Sequence, residues 1–258
     1  MDALSVDSIR TAYIDLLKRS ITNYHQLGGE ASFEKFHIVT HYDVPQGQWK
    51  IGRRARPMTL LTKSQLDLVE KAVLMVEERD VPGDFIEAGV WRGGVIVLMR
   101  ALLDVYGIRD RKIFAADSFA GIPKNVRVEG DPVDRWNDRW IAPLGEVRQN
   151  IERFGLLDDR IRFIPGFFAD SLKRLAGEKF ALVRLDSDSY DSVEISLEYL
   201  YPLVPRGGIV IIDDWHLVGC KQAVEAFRSK HGIDDAIVEH DGNSYWVKSQ
   251  DYGEPGLP

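Results

Sequence analysis

The fold is decided by the stretch Gly83-Asp84-Phe85-Ile86-Glu87-Ala88-Gly89-Val90-Trp91-Arg92-Gly93-Gly94. It begins as a short apolar strand, reaches an acid, and runs through a glycine-rich turn into a helical pattern. Glycines let a backbone approach a ligand closely, and a helix start leaves N–H groups without partners. This combination predicts a site for a nucleotide-like cofactor.

The chain that follows this stretch alternates short apolar runs with helical patterns. Such alternation is typical of βαβ units and of a parallel sheet covered on both faces, so we predict a Rossmann-like α/β fold. The expected strands are 84–88, 112–116, 161–164, 181–185 and 208–212, and a C-terminal hairpin of 236–240 and 244–248 closes one edge. The expected helices lie near 94–105, 144–154, 169–176, 189–201 and 219–230.

The residues before the sheet show weaker patterns. Apolar side chains from Ile9 to Ile21 recur at helical spacing, with Ser5 or Asp7 as the cap, and Ser64 is predicted to cap a second helix. We interpret 1–62 as an N-terminal cap and flap, 63–250 as the core, 118–142 as a lid over the site and 251–258 as a tail. A single α/β domain of 258 residues accommodates all of them.

Composition excludes several classes of protein. Hydrophobic residues make up 45% and charged residues 28% without a long apolar run, which predicts a globular chain with no membrane span. The start lacks the features of a secretion signal, and the single cysteine, Cys220, fits a reducing cytoplasm. A formal net charge of −7 argues against a nucleic-acid partner.

Acids follow almost every predicted strand. Glu87 closes the first strand, Asp117 the second, Asp186 the fourth, and Asp213 with Asp214 the fifth. Ligands of an open α/β sheet bind beyond the carboxyl ends of its strands. We therefore expect these acids to carry the chemistry.

The turn after the first strand departs from the dinucleotide pattern. Glu87 stands where the first glycine of Gly-x-Gly-x-x-Gly belongs, and an acid there repels a diphosphate. It suits a cationic cofactor without phosphate, such as S-adenosylmethionine, while Asp117 is placed to accept from a ribose diol. A plain βα turn or a site for another nucleotide is the other interpretation.

The acids after the fourth and fifth strands predict a metal site. Parallel neighbouring strands bring Asp186, Asp213 and Asp214 to one rim, where they repel one another unless protonated or neutralised by a divalent cation. Mg²⁺ prefers such all-oxygen ligands. Helix capping at a βα junction is the simpler alternative, and Asp188 is interpreted as the start of the following helix.

At these residues the sequence resembles the macrocin O-methyltransferase family, bacterial enzymes that methylate sugar hydroxyls of natural products. Six ordered blocks carry the resemblance: 81–94, 116–123, 154–159, 166–172, 184–190 and 205–214. It implies a class I methyltransferase fold of seven strands, S-adenosylmethionine as donor and a bound Mg²⁺. Ser187 departs from the family's usual glycine, and Ser189 stands where related catechol methyltransferases have a lysine, which excludes a lysine base.

The resemblance also implies roles for individual residues. It places Asp186 as the general base, and Asp186, Asp213 and Asp214 as the metal ligands. The implied cofactor contacts are Met58, Thr59, Glu87, Gly89, Arg92, Asp117, Ser118, Gly166, Phe168 and Ser171.

The resulting prediction is a Mg²⁺-assisted O-methyltransferase in antibiotic biosynthesis that acts on a deoxysugar, either as a nucleotide sugar or as a glycoside. We expect a small-molecule substrate, no membrane or nucleic-acid partner, and a homodimer or higher homo-oligomer. One alternative is an NAD(P)-dependent oxidoreductase of nucleotide sugars, disfavoured by Glu87 and by the lack of a Tyr-x-x-x-Lys pair. A non-catalytic nucleotide-binding module is another.

Overall fold

The computed structural model describes residues 5–23, 57–123, 128 and 140–250. The predicted flap at 24–56, most of the predicted lid and the tail at 251–258 lie outside the described residues. In the part of the chain that is described, no helix is both long enough and apolar enough to cross a membrane.

The centre of the structure is a sheet of seven strands in the order β3-β2-β1-β4-β5-β7-β6. Strands β1 to β5 are parallel, and β7 runs antiparallel to both β5 and β6. The predicted strands and the closing hairpin are therefore confirmed, with ends shifted by one or two residues. The strands are β1 Asp84–Ala88, β2 Ile113–Asp117, β3 Ile161–Pro165, β4 Phe180–Leu185, β5 Ile209–Ile212, β6 Val238–His240 and β7 Asn243–Val247.

The helices occupy the predicted positions with one difference. The helix expected at 169–176 is a single α-helical turn that continues as a 3₁₀ helix, Leu172–Leu175. The α-helices are α1 Val6–Ile21, α2 Lys63–Glu78, α3 Gly94–Val105, α4 Leu144–Glu152, α5 Phe168–Ser171, α6 Tyr190–Leu200 and α7 Val218–His231. A second 3₁₀ helix, Tyr201–Leu203, follows α6.

Both faces of the sheet are covered. Side chains alternate between faces along a strand, so Phe85 of β1 packs with α1, α2, α3 and α4, whereas its neighbour Ile86 packs with α6 and α7. Both side chains are fully buried. This is why the parallel strands read as near-continuous apolar runs in the sequence.

The start of α2 corrects one prediction. Its N-cap is Thr62 and not Ser64: Thr62 Oγ1 accepts from Gln65 N at 3.1 Å, and Gln65 Oε1 accepts from Thr62 N at 2.9 Å. Both residue types suit a cap, but only Thr62 is followed three positions later by a glutamine that closes the capping box. The Ser5 cap of α1 is confirmed, because Ser5 Oγ accepts from Ser8 N at 3.1 Å.

The strand order creates a crevice at the carboxyl ends of β1 and β4. The chain moves outward from β1 through β2 to β3 and then returns to place β4 on the other side of β1. Ligands of doubly wound sheets bind at this switch point. The acids at the ends of β1 and β2 therefore face those that follow β4 and β5 across one opening.

Candidate active site

The turn after β1 is pressed against the end of β4. Gly89 has φ +97°, and a Cβ atom added to it would lie 1.6 Å from the carbonyl oxygen of Asp186. Gly94, the first residue of α3, is also crowded, because a Cβ there would lie 2.7 Å from Cβ of Thr59. Only glycine fits at these two points, so the backbone itself forms this wall of the crevice.

Asp117, the last residue of β2, holds that turn in shape. Its Oδ2 accepts from Val90 N at 2.7 Å and from Trp91 N at 3.1 Å, and its Oδ1 accepts from Phe119 N at 2.7 Å. Burial raises the pKa of the Asp117 carboxyl, and the three N–H donors oppose that rise. The carboxylate thus organises the turn that follows β1, and its predicted role toward a ribose stays a prediction.

Glu87 is a buried acid, and only one of its two carboxyl oxygens has a hydrogen-bond partner among the described residues. Its side chain is 1% exposed, and Oε1 accepts from Arg184 Nη1 at 2.5 Å. Oε2 is also buried but has no hydrogen-bond partner among the described residues. Burial raises the pKa of Glu87 to about 8, although the positive charge of Arg184 opposes this. An acceptor left open in this way suits a cationic ligand group.

A cavity of about 330 Å³ opens over these groups and extends to the ends of β4 and β5. Seven of the ten predicted cofactor residues line it, on the side of β1 and β2. They are Met58, Thr59, Glu87, Gly89, Asp117, Ser118 and Phe168.

The other three predicted cofactor residues lie behind the cavity wall. Arg92 is buried, donates from Nε to the carbonyl of Pro57 at 3.0 Å and pairs with Glu146. Gly166, at φ +127°, donates its N–H to the carbonyl of Asp117 at 3.0 Å. Ser171 is 1% exposed. These three residues support the side of the cavity formed by β1 and β2 without lining it.

Three carboxylates meet at the opposite side of the cavity. One oxygen each from Asp186, Asp188 and Asp214 lie within 4.8 Å of one another. Burial, followed by the negative charges of neighbouring acids, raises the pKa of all three carboxyls well above its usual range. An all-oxygen set of this kind fits a hard divalent cation such as Mg²⁺, whose charge would relieve the repulsion.

Asp188 is the residue that the sequence interpretation missed. It was assigned to the start of the following helix, but Ser189 is the N-cap of α6 and accepts at Oγ from Ser192 N at 3.2 Å. Asp188 adopts φ +57° and donates its N–H to Asp214 Oδ2 at 3.2 Å, which turns it into the cluster. Because Asp188 is the residue in the left-handed conformation, Ser187 needs no glycine at its own position.

Asp213 lies beside the cluster and is tied down on one oxygen. Its Oδ1 accepts from Arg184 Nη2 at 2.5 Å and from Asn243 Nδ2 at 3.0 Å. Asn243 is in turn held by Gln65, whose Nε2 donates to Asn243 Oδ1 at 2.8 Å. Of the three predicted metal ligands, the structure therefore brings Asp186 and Asp214 together with Asp188, and places Asp213 against Arg184.

Aromatic and imidazole side chains complete the cavity. Trp91 and Trp140 pack edge to face, with ring centroids 5.4 Å apart, and both line the opening. His216 also lines it and is exposed. A further tryptophan of the predicted lid, Trp136, and three arginines of the predicted flap, Arg53, Arg54 and Arg56, lie outside the described residues.

The comparisons with known proteins agree on one family. The model of the macrocin-O-methyltransferase (TylF) family matches residues 10–248. The chain belongs to this family. It is 38% identical over 250 residues to the 8-demethyl-8-(2,3-dimethoxy-alpha-L-rhamnosyl)-tetracenomycin-C 4'-O-methyltransferase of Streptomyces olivaceus, a match that covers 93% of this chain and 94% of the relative.

Two further relatives support the assignment. The mycinamicin III 3''-O-methyltransferase of Micromonospora griseorubida is 36% identical over 254 residues, with 92% of this chain and 96% of the relative covered. The solved structure of the O-methyltransferase NovP is 33% identical, has a TM-score of 0.80, and is matched over 93% of this chain and 100% of its own.

The macrocin O-methyltransferase family decides between the sequence-based alternatives. The chain is an O-methyltransferase with the class I fold that was predicted, and not an oxidoreductase or a non-catalytic module. Its family implies S-adenosylmethionine as the methyl donor.

Proposed function

We propose that this O-methyltransferase transfers a methyl group from S-adenosylmethionine to a deoxysugar hydroxyl during antibiotic biosynthesis, with assistance from Mg²⁺. The observation that carries the proposal is the cluster of Asp186, Asp188 and Asp214 in the same cavity as Glu87. Vicinal sugar hydroxyls are natural partners of a carboxylate-bound cation. The names of the relatives, a rhamnosyl tetracenomycin and a mycinamicin methyltransferase, support a sugar acceptor.

The methyl donor is proposed to lie along the wall formed by β1 and β2. The free Oε2 of Glu87 would accept from the ammonium of the methionine end, and the carboxylate of Asp117 from the ribose hydroxyls. Gly89 and Phe168 also line the cavity, and Phe168 would contact the adenine. These contacts would direct the reactive methyl group toward the acidic side of the cavity.

Two acids of that cluster, Asp186 and Asp214, are proposed to hold the cation together with Asp213, the third ligand that the resemblance implies. Asp213 would bind through Oδ2, since its Oδ1 is occupied by Arg184 and Asn243. When bound, Mg²⁺ supplies the positive charge that lowers the pKa of a coordinated hydroxyl and fixes its oxygen for in-line attack.

The base is proposed to be Asp188. The resemblance assigns that role to Asp186, but Asp186 Oδ2 already accepts from Arg184 Nη1 at 3.0 Å, and its negative charge would also be shared with the proposed cation. A carboxylate oxygen of Asp188 would take the hydroxyl proton as the sugar oxygen bonds to the methyl carbon. The bond from that carbon to sulfur breaks, and S-adenosylhomocysteine and the methyl ether leave.

The acceptor is tested by incubating the enzyme with S-adenosylmethionine, Mg²⁺ and a panel of nucleotide deoxysugars, neutral deoxysugar glycosides and catechols. Mass spectrometry should show the gain of one methyl group on a sugar hydroxyl. Methylation of catechols alone would overturn the sugar acceptor.

The assignment of the two acids is tested by Asp188→Asn and Asp213→Asn. We expect Asp188→Asn to bind Mg²⁺ in calorimetry but to lose methylation, and Asp213→Asn to lose Mg²⁺ binding. The reverse result would make Asp188 a ligand, as its place in the cluster of three carboxylates also permits.

A further inference from the structure

We propose that Arg184 is a positioning residue that holds the methyl-donor side and the cation side of the site in register. The inference rests on the proposed function, because it concerns the same cavity. Its basis is one guanidinium that bonds to Glu87 on the donor side and to Asp186 and Asp213 on the acidic side.

The sheet register places these four side chains on one face. Arg184 of β4 is aligned with Glu87 of β1 and with Ile211 of β5. Asp186 comes two residues after Arg184, and Asp213 two residues after Ile211, so the period of two directs both acids to the side of the guanidinium. Arg184 therefore lies one layer below the cavity floor, under the boundary between the two sides.

The bonding pattern needs the shape of a guanidinium. Nη1 donates to Glu87 Oε1 at 2.5 Å and to Asp186 Oδ2 at 3.0 Å, while Nη2 donates to Asp213 Oδ1 at 2.5 Å. The planar fork of an arginine presents donors in fixed divergent directions, which the single ammonium of a lysine cannot reproduce. Any shift of this fork would move acids on both sides of the site together.

The surroundings make Arg184 the local source of positive charge. It is 1% exposed, and no lysine or arginine is found among the described residues that line the cavity. An arginine guanidinium keeps its charge in proteins, and three carboxyl groups, those of Glu87, Asp186 and Asp213, bond directly to this one. A buried charge shared by three strands is costly to remove, because the remaining acids would be left unpaired.

The test compares Arg184→Lys with a matched control, Arg228→Lys. Arg228 is also a buried arginine; it donates to the carbonyl of Asp235 and lies 5.1 Å from the Trp246 ring centroid, away from the cavity. Each protein is titrated by calorimetry with S-adenosylhomocysteine and, separately, with Mg²⁺. Thermal unfolding of each variant measures its stability independently.

We expect Arg184→Lys to bind both ligands about tenfold more weakly, because charge-assisted hydrogen bonds are lost on both sides of the site. It should also lower kcat by a larger factor than it raises the KM for the acceptor. Arg228→Lys should lose comparable stability with both affinities and kcat close to those of the wild type. A second variant, Arg184→Met, should lose more stability than Arg184→Lys, because it removes the buried charge as well as the fork, and it should weaken the binding of both ligands at least as much.

Several results would overturn the inference. One such result is that Arg184→Lys binds both ligands with wild-type affinity. Another is that its losses of affinity equal those of Arg228→Lys and follow the loss of stability alone. If the wild type bound S-adenosylhomocysteine but no Mg²⁺, the proposed cation would fail, and the S-adenosylhomocysteine affinity of Arg184→Lys would still decide whether Arg184 positions Glu87.

Discussion

The two sides of the cavity are built in opposite ways. On the donor side, glycines and backbone N–H groups fix the turn, and Asp117 accepts from three of those groups. On the acidic side, Asp186, Asp188 and Asp214 crowd within 4.8 Å, where burial and mutual repulsion raise the pKa of each. The donor side is thus organised without a ligand, whereas the acidic side needs added positive charge to hold its acids ionised.

The two sides nevertheless touch through the backbone. Gly89 of the donor turn lies against the carbonyl oxygen of Asp186, where a Cβ atom would come within 1.6 Å. The methyl-donor side and the acidic side are therefore in direct van der Waals contact, although their chemistry differs. Substitutions can therefore alter one side of the cavity, the other side, or the contact between them.

The largest effect is expected from breaking the contact. Gly89→Ala should destabilise the fold by at least about 3 kcal/mol or prevent folding, because the methyl group meets rigid backbone and φ is +97°. Urea unfolding measures this. Gly107→Ala is the matched control. Its φ is +72°, but no atom lies within 4 Å of the position of an added Cβ, so the substitution should lower the free energy of unfolding by only about 1–2 kcal/mol. Equal losses in the two variants would contradict the close contact.

The next effect separates the two sides. Asp214→Asn should reduce methylation by about 1,000-fold while S-adenosylhomocysteine affinity changes by less than about threefold, because only the cation side is altered. Asp170→Asn serves as the control, since the Asp170 side chain is 87% exposed, and it should leave both unchanged. Loss of cofactor binding in Asp214→Asn would show that the two sides are not separable.

A smaller effect is expected on the donor side alone. Asp117→Asn replaces an acceptor-only carboxylate that holds the N–H groups of Val90, Trp91 and Phe119. We expect S-adenosylhomocysteine to bind about 30-fold more weakly, with Mg²⁺ affinity retained. Calorimetry with each ligand decides this, and a parallel loss of Mg²⁺ binding would argue against a local role.

The smallest effect is a dependence of cofactor affinity on pH, which amounts to at most about tenfold for each pH unit. The pKa of Glu87 is raised to about 8, so the carboxyl is mostly protonated below that pH and must lose its proton to receive a ligand ammonium. Affinity for S-adenosylhomocysteine should therefore rise with pH below about 8, by up to about tenfold per unit. Glu87→Gln should remove this slope. A slope of the opposite sign in the wild type would contradict the assignment.

A local pattern was enough to predict that Glu87 and Gly89 lie at the cavity, although their contacts with a cofactor stay predictions. Gly89 and Glu87 belong to a continuous local pattern in which strand, acid and turn follow one another, and the alternation of elements predicted the sheet. The Thr62 cap was missed because Ser64 also suits a cap and lies two residues away. Residue type alone does not identify an N-cap when two suitable residues lie close together in the sequence.

Long-range geometry explains what the sequence interpretation missed. Arg184 gains its contacts only through the register that aligns β4 with β1 and β5, and no local pattern reports that register. Asp188 was assigned to a helix start because acids favour that position, whereas its left-handed conformation turns it into the cluster. The spacing of Asp186 and Asp188 by two residues was the available signal.

The central claim is that donor binding needs one side of the cavity and methyl transfer needs both. The most direct measurement follows transfer of a labelled methyl group to a deoxysugar acceptor in chelator and after Mg²⁺ is restored, with S-adenosylhomocysteine affinity measured in both buffers. We predict that transfer is lost and then recovered, while that affinity stays constant. Full transfer in excess chelator, or cofactor binding that disappears with the cation, would contradict the claim.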